Sequence, residues 1–269
     1  MQLPLPPTVL VLAGHDPTGG AGLIADSEAV AGCGGWALTV PTATTVQNCH
    51  NVARVLPADP DAMQAMVEAL GDFPIAAIKL GLLADEATLM AAERIIRRFP
   101  GVPVVADPVL KAGGGADLST AALRRLYVDR LLPLVDILTP NRFELAALTP
   151  EIDAADDDTA RAVALISRGC QAVLVTGTDD PLPGNPDLVV HTLHSPDTTR
   201  QWQWPRLPHR YHGSGCTLAS ALAARMAVGE RLSTACEQAQ HFTWRALSHA
   251  YVPPGGQYLP NRLARSSRF

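Results

Sequence analysis

Thr8-Val9-Leu10-Val11-Leu12-Ala13-Gly14-His15-Asp16-Pro17-Thr18-Gly19-Gly20-Ala21-Gly22 passes from an unbroken apolar run into a loop punctuated by glycine, and Ala21 to Ala31 then reads as a helix. A short apolar run with no polar alternation, closed by glycine, is the pattern of a strand covered on both faces. The same alternation continues along the chain. Strands are expected at Ala37 to Ala43 (broken by Pro41), Ile75 to Leu80, Val102 to Ala106, Asp136 to Leu138 and Ala172 to Thr176. Between them lie helical segments at Asp61 to Leu70, Asp85 to Phe99, Ser119 (as cap) to Arg130, Asn141 (as N-cap) to Leu148, and Thr159 to Arg168. Leu188 to Leu193 and Thr199 to Trp204 read as an antiparallel pair around Ser195-Pro196-Asp197, and Thr217 to Val228 and Ser233 to His249 as two last helices. Thr44 to Asn51 reads as a polar loop and Gly177 to Pro186 as a surface loop. Asp153 to Asp158 reads as the solvated approach to a helix, and the tail around Pro253-Pro254-Gly255-Gly256 as irregular. Strand and helix in alternation imply right-handed βαβ crossovers, hence an α/β fold with a mainly parallel central sheet and helices on both faces. No repeat or linker divides the chain, so residues 1–269 are expected to form one domain.

Composition narrows the partners. The 269 residues carry 21 basic and 26 acidic groups, a formal charge of −5, so no basic surface invites nucleic acid. Only Lys79 and Lys111 are lysines and the other 19 basic residues are arginine, which restricts any mechanism that needs a lysine. Aromatics make up 5% and hydrophobics 47%, a core of small aliphatics that suits helices on a parallel sheet. Cys33, Cys49, Cys170, Cys216 and Cys236 are odd in number and show no paired spacing, against a disulfide framework. The first residues lack a basic segment followed by an apolar one, and no run is long enough to span a bilayer. A cytoplasmic protein with no membrane partner is expected.

Ligands of doubly wound sheets bind beyond the carboxyl ends of the strands, so the chemistry is expected in the loops there. Gly14 and Gly19 stand at phosphate-loop spacing, but Gly20-Ala21 occupies the place of the obligatory lysine and hydroxyl, which excludes that site. Gly20-Ala21-Gly22-Leu23-Ile24-Ala25 fits a dinucleotide fingerprint. No Asp or Glu lies between Glu28 and Asp59 to hold a ribose, however, which argues against a dehydrogenase. His212-Gly213-Ser214-Gly215-Cys216-Thr217 runs straight into an apolar helix, where backbone N–H groups can converge as an anion hole. Cys216 falls in the first turn, where the helix dipole should lower its pKa. It could serve as a base there, or be a small packing residue. Asp107 closes one strand, and Asn141-Arg142-Phe143-Glu144 follows another. Carboxylates so placed suit magnesium held largely through water, though each could equally be a cap.

Together the Gly-x-Gly loop and the Asn-x-x-Glu segment resemble the ribokinase-like superfamily. Six motifs in order sharpen that resemblance. They are Gly14-His15-Asp16-Pro17-Thr18-Gly19-Gly20-Ala21-Gly22 with Asp26, Val46-Gln47-Asn48, Lys79-Leu80-Gly81-Leu82-Leu83, Asp107-Pro108-Val109, Thr139-Pro140-Asn141, and His212-Gly213-Ser214-Gly215-Cys216-Thr217-Leu218. Over residues 8 to 250 the chain is similar to the hydroxymethylpyrimidine/phosphomethylpyrimidine kinases of thiamine biosynthesis. The resemblance implies a three-layer α/β/α ribokinase-like domain. It implies that ATP phosphorylates 4-amino-5-hydroxymethyl-2-methylpyrimidine and then its monophosphate, with Mg2+ as cofactor and a homodimer as the assembly. Carried over by position, Gln47, Asp26, Gly14, Leu82 and Val109 would meet the pyrimidine. Asn141, Thr176 and Ser214 would meet the nucleotide, Asp107 and Glu144 would serve the metal, and Cys216 with Gly213 and Gly215 would carry catalysis.

The chain departs from that pattern at Thr176, where many members have a lysine, and at Lys111-Ala112-Gly113-Gly114, where Ala-Lys-Ser-Gly is common. Arg142 or His212 would then supply positive charge to the phosphates, or metal and backbone amides would suffice. Two alternatives stay open: a pyridoxal kinase of the same fold, and a sensor that binds the pyrimidine without phosphorylating it.

Overall fold

Successive residues of the central strands enter two different cores. In β1 (Thr8–His15), Leu10 and Leu12 face one apolar cluster while Val9, Val11 and Ala13 face another. This period of two, with both faces apolar, is why the strands read as continuous hydrophobic runs. The computed structural model describes residues 3–111, 115, 117–153, 157–177 and 186–264. The loop expected at Gly177 to Pro186 lies mostly outside these, as do residues 112–114 and part of the acidic run, 154–156.

After β1 the chain forms α1 (Gly22–Gly32), β2 (Trp36–Gln47), β3 (Val52–Pro57), α2 (Pro60–Ala69), β4 (Ile75–Leu80), α3 (Glu86–Arg97) and β5 (Val104–Ala106). It continues with α4 (Ala121–Leu126), β6 (Ile137–Leu138), α5 (Arg142–Leu148), α6 (Asp158–Ser167), β7 (Ala172–Thr176), β8 (Leu188–His194), β9 (Thr199–Pro205), α7 (Ser214–Ala227) and α8 (Leu232–Ser248). Among the described residues one nine-stranded sheet has the order β3-β2-β1-β4-β5-β6-β7-β8-β9. Strands β2, β1, β4, β5, β6 and β7 are parallel to one another, and β3, β8 and β9 join antiparallel at the two ends. α1, α7 and α8 pack on one face through Ala29, Leu218, Leu222 and Phe242. α2, α3, α5 and α6 pack on the other through Met63, Leu89, Leu145 and Leu165. The three-layer α/β/α architecture with a mainly parallel sheet expected from the sequence is the one observed.

Four local expectations change. The segment Thr44 to Asn51 is not a loop throughout. β2 continues to Gln47, turns at Asn48, and returns as β3, a strand without sequence signal because most of its residues are exposed. Pro41 does not break β2; the register against β1 shifts just beyond it, an irregularity that accommodates a residue without an N–H. Thr120 rather than Ser119 caps α4, its Oγ1 accepting from Leu123 N at 3.1 Å, and the helix passes into a π-helical turn, Tyr127–Leu131. The tail is not simply irregular: Tyr251 N donates to Leu259 O at 2.8 Å and Gln257 N to Cys49 O at 2.9 Å, so it folds back over the strand ends.

Candidate active site

The carboxyl ends of β1, β2, β4, β5, β6 and β7 open into one cleft of about 560 Å³. Gly14, Gln47, Leu82, Asp107, Val109, Asn141, Glu144, Thr176, Gly213, Ser214, Gly215 and Cys216 all line it, although they come from widely separated stretches of sequence. Gln47 stands at the end of β2, half-buried beside the Asn48 turn, with Gly14, Leu82 and Val109 contributing wall on the same cleft. An adjoining cavity of about 440 Å³ shares Thr176, Tyr211, Ser214, Gly215 and Gln257 with it and extends to Trp204, Trp244 and Leu218.

Two glycine loops meet backbone to backbone at the cleft floor. Gly213 caps α7 with φ +75°, and a Cβ there would fall 2.1 Å from Gly20 O. Gly22 has φ +61°, and its Cβ would fall 2.1 Å from Gly14 O. Only glycine satisfies both the left-handed conformation and the close approach. The first turn of α7, where a helix leaves N–H groups without intrahelical partners, therefore lines the cleft in the place expected for an anion hole. His212 and Asp16 close the junction: His212 Nε2 lies 2.8 Å from Asp16 Oδ2, while Asp16 also accepts from Thr18 N and Ala21 N at 2.9 Å each.

Asp26 departs from its expected place. It does not line the cleft but is fully buried beneath it, its oxygens taken by Lys79 Nζ at 2.9 Å and Ser220 Oγ at 2.7 Å. Lys79 is itself fully buried. Burial opposes its charge, but the Asp26 carboxylate, with Cys216 and Asp107 nearby, holds its pKa above the ordinary lysine range. Asp107 sits between this pair and the anion hole. Burial pushes its carboxyl up to about 6, against the pull of Lys79, and it accepts a hydrogen bond from the Cys216 thiol. Cys216 remains partly accessible from the cleft, and Gly22 N–H donates to its sulfur. Its pKa is nonetheless pushed up to about 12 by burial, Asp26 and Asp107 adding to that and Lys79 opposing it. This corrects the expectation of a lowered thiol pKa. Sequence shows the helix start but not the carboxylates that the sheet brings beside the sulfur.

The remaining positive charge is also redistributed. Arg142 Nε is 2.7 Å from Asp158 and His212 is held by Asp16, so neither is free for a phosphate. Lys111 lines the cleft rim with its ammonium 4.6 Å above the Phe143 ring. Thr176 N donates to Pro140 O at 2.9 Å, tying the end of β7 to the start of the Asn141 turn. Asn141 and Glu144 form a capping box: Asn141 Oδ1 accepts from Glu144 N at 2.8 Å and Glu144 Oε2 from Asn141 N at 3.0 Å. Glu144 Oε1 also accepts from Leu110 N at 3.4 Å. Among the described residues no group of three or more His, Cys, Asp or Glu gathers as a metal cage. Two carboxylates beside an anion hole nonetheless fit magnesium, which keeps much of its water and takes oxygen ligands from phosphate. Arg262, buried behind the glycine loops, is a contributor that nothing in the sequence pattern signals.

A nine-stranded α/β/α sandwich whose first and last glycine loops meet in a cleft at the strand ends is the architecture of the ribokinase-like class. The family model for phosphomethylpyrimidine kinase matches residues 16–261, and the chain belongs to that family. A hydroxymethylpyrimidine/phosphomethylpyrimidine kinase of Synechococcus elongatus is 35% identical over 268 residues, covering 93% of this chain and 95% of that protein. A thiamine biosynthesis multifunctional protein of Corynebacterium efficiens is 34% identical over 91% of this chain, which spans only 33% of that longer protein. Among solved structures, phosphomethylpyrimidine kinase of Clostridium difficile 630 superposes with a TM-score of 0.76 at 26% identity, covering 89% of this chain and 98% of that one. An ADP complex of Bacillus subtilis pyridoxal kinase superposes with a TM-score of 0.85 at 25% identity, covering 96% and 97%.

Proposed function

We propose that this chain transfers phosphate from ATP to 4-amino-5-hydroxymethyl-2-methylpyrimidine and to its monophosphate, as a hydroxymethylpyrimidine/phosphomethylpyrimidine kinase acting in thiamine biosynthesis. The observation that supports this most is that Gln47, Asp107 and Cys216 line one cleft within a chain of the phosphomethylpyrimidine kinase family. The Gln47 amide offers a donor and an acceptor to the amine and ring nitrogen of the pyrimidine, between apolar walls from Leu82 and Val109. The adjoining cavity, with Trp204, Trp244 and Leu218, has room for the base of ATP, and its border at Thr176, Ser214 and Gly215 would meet the phosphates. Asp107 and Glu144 would hold magnesium through water, and the ion would neutralise phosphate charge. Lys111 at the rim adds a cation where Thr176 has none.

In this reading the substrate hydroxyl gives up its proton to the Cys216–Asp107 pair. Sulfur receives it while its own proton passes along the hydrogen bond to the Asp107 carboxylate. The α7 N–H groups with Gly213 and Gly215 stabilise charge on the transferring phosphoryl group. Residues 1–269 act as one kinase domain. The exposed apolar Val46 and Leu56 on the arm formed by β2 and β3 suit a homodimer contact. Action in the cytoplasm belongs to this reading; no helix among the described residues is long and apolar enough to cross a membrane.

The test is ADP release in a coupled assay with the free pyrimidine, its monophosphate and pyridoxal, each with ATP and magnesium. Turnover on both pyrimidines, exceeding that on pyridoxal, is expected. Faster turnover of pyridoxal, or tight pyrimidine binding without ADP release, overturns the reading in favour of a pyridoxal kinase or a sensor respectively.

A further inference from the structure

Arg262 lies past the last helix, in sequence with no periodicity, yet its residue exposure is only 3%. Its Nε donates to Thr217 Oγ1 at 2.8 Å. One terminal nitrogen donates to Gly19 O at 3.3 Å and meets the Glu28 carboxylate at 3.0 Å. The other donates to Gly20 O. Thr217 Oγ1 in turn donates to Gly213 O at 2.7 Å, the carbonyl that also accepts the first helical bond of α7 from Thr217 N. One guanidinium thus gathers carbonyl oxygens from both glycine loops, two directly and one through a hydroxyl. It lies outside the cleft lining, behind the junction that His212 and Asp16 close from the cleft side.

Loops of glycine hold no fixed shape by themselves, because each glycine has many accessible backbone conformations. A planar guanidinium with five donors in a rigid fork can fix several carbonyls at once, which an ammonium cannot. A buried cation is retained where it is paired and hydrogen-bonded, and here Glu28 and the carbonyls meet that requirement. The consequence reaches the chemistry, since the same loops present Gly22 N–H to the Cys216 sulfur and the first turn of α7 to the cleft.

We propose that Arg262 is a positioning residue for phosphoryl transfer, locking the Gly19-Gly20 loop to the start of α7 so that the anion hole is preorganised. The proposal rests on the kinase reading above. Its effect is exerted on the charge that develops during transfer and not on the pyrimidine, which Gln47 would meet on another wall.

Arg262→Gln, Arg262→Lys and, with the arginine intact, Thr217→Val test it. The parent's turnover on the pyrimidine reports on the kinase reading alone; a parent without turnover overturns that reading, and with it the proposal. With an active parent, Arg262→Gln is expected to lower kcat by about a hundredfold, the scale of a small misplacement at a reacting centre. KM for the pyrimidine should stay nearly unchanged, and binding of ADP with aluminium fluoride should weaken while binding of ADP alone does not. Arg262→Lys should recover only part of kcat, and Thr217→Val should fall in the same direction. Parental kcat in Arg262→Gln, even with a lower melting temperature, overturns the positioning role. Should that variant not fold, Thr217→Val decides: reduced kcat with pyrimidine KM kept supports the role, and parental kcat overturns it.

Discussion

His212 Nε2 and Asp16 Oδ2, 196 positions apart in sequence, lie 2.8 Å apart in the buried seam between the two glycine loops. Asp16 is the hub of this seam, since it also organises its own loop through Thr18 and Ala21. Burial alone would raise its pKa, but the His212 hydrogen bond and the two backbone N–H groups outweigh burial and hold it below the ordinary carboxylate value. A carboxylate with a depressed folded pKa stabilises the protein above its unfolded pKa of about 4, and that stabilisation is lost as pH falls through the lower folded value. Asp16→Asn should therefore lower the melting temperature at neutral pH, with the gap from the parent closing below about pH 4. A gap that stays constant into acid would show that the carboxylate charge contributes nothing to the seam.

Asp26 and Lys79 make a different kind of pair, since both are fully removed from solvent. Removing one partner leaves an uncompensated buried charge, so Asp26→Asn should cost about 3–5 kcal/mol in urea unfolding. Adding Lys79→Met should recover much of the loss, because an apolar replacement of both partners is often neutral. Loss of pyrimidine affinity in Asp26→Asn with unfolding free energy unchanged would return Asp26 to the substrate wall first expected for it.

Asp107 sets an expectation for pH. Its carboxyl is pushed up to about 6 by burial, with Lys79 pulling the other way, so it is ionised at pH 7 and largely protonated at pH 5. Because the folded pKa is raised, the carboxyl adds stability at low pH that is lost as pH rises through about 6. Activity should run the other way, if the proposed proton transfer needs the carboxylate. The kcat/KM profile, which reports groups of the free enzyme, should rise through about pH 6, and Asp107→Asn should lower the plateau and remove that limb. A limb that survives in Asp107→Asn belongs to another group.

The parts of this picture that sequence discloses are those governed by local rules. Apolar runs fixed the central strands, and Asn141 with Glu144 was readable as a helix start because a capping box is built within four residues. Only half of the β2–β3 arm is legible in sequence, since exposed strand residues carry no alternation and Pro41 looks like a breaker. At the site, residue types and their cleft were legible because strand ends converge in such folds. The protonation of Cys216 was not, because it depends on Asp107 and Asp26 from other parts of the chain. Arg262 carries no signal in sequence for the same reason: its partners at Gly19, Gly20 and Thr217 are neighbours only after folding.

Gln47 should act on affinity more than on turnover. Its side chain reaches the cleft from the end of β2, on the wall shared with Leu82 and Val109. Gln47→Leu keeps bulk but leaves the polar edge of a bound aminopyrimidine unpaired, a loss of about 1–3 kcal/mol. Calorimetric titration with the pyrimidine should show that weakening, with kcat at saturation much less altered. Unchanged affinity would move the pyrimidine elsewhere in the cleft.

Cys216 gives the most exposed of these expectations, because its chemistry at rest and its proposed role pull in opposite directions. With its pKa pushed up to about 12, it is a thiol at pH 7 and should alkylate slowly with iodoacetamide. Cys49, partly exposed beside the turn after β2, should be labelled first, and Cys216 should react only as pH is raised well into the alkaline range. A thiol with so high a proton affinity takes a substrate proton readily only if its own proton can leave, which is what the hydrogen bond to Asp107 allows. Cys216→Ser keeps the hydrogen bond but replaces sulfur by a less acidic hydroxyl, and turnover should fall by roughly 10²–10⁴-fold with pyrimidine binding kept. Cys216→Asp should fall less, since a carboxylate can accept the proton directly. Rapid labelling of Cys216 at pH 7 would mean that the first turn of α7 wins over burial after all. Parental turnover in a folded Cys216→Ser would leave the sulfur no part in the proton transfer, and Asp107 would then have to accept the substrate proton itself.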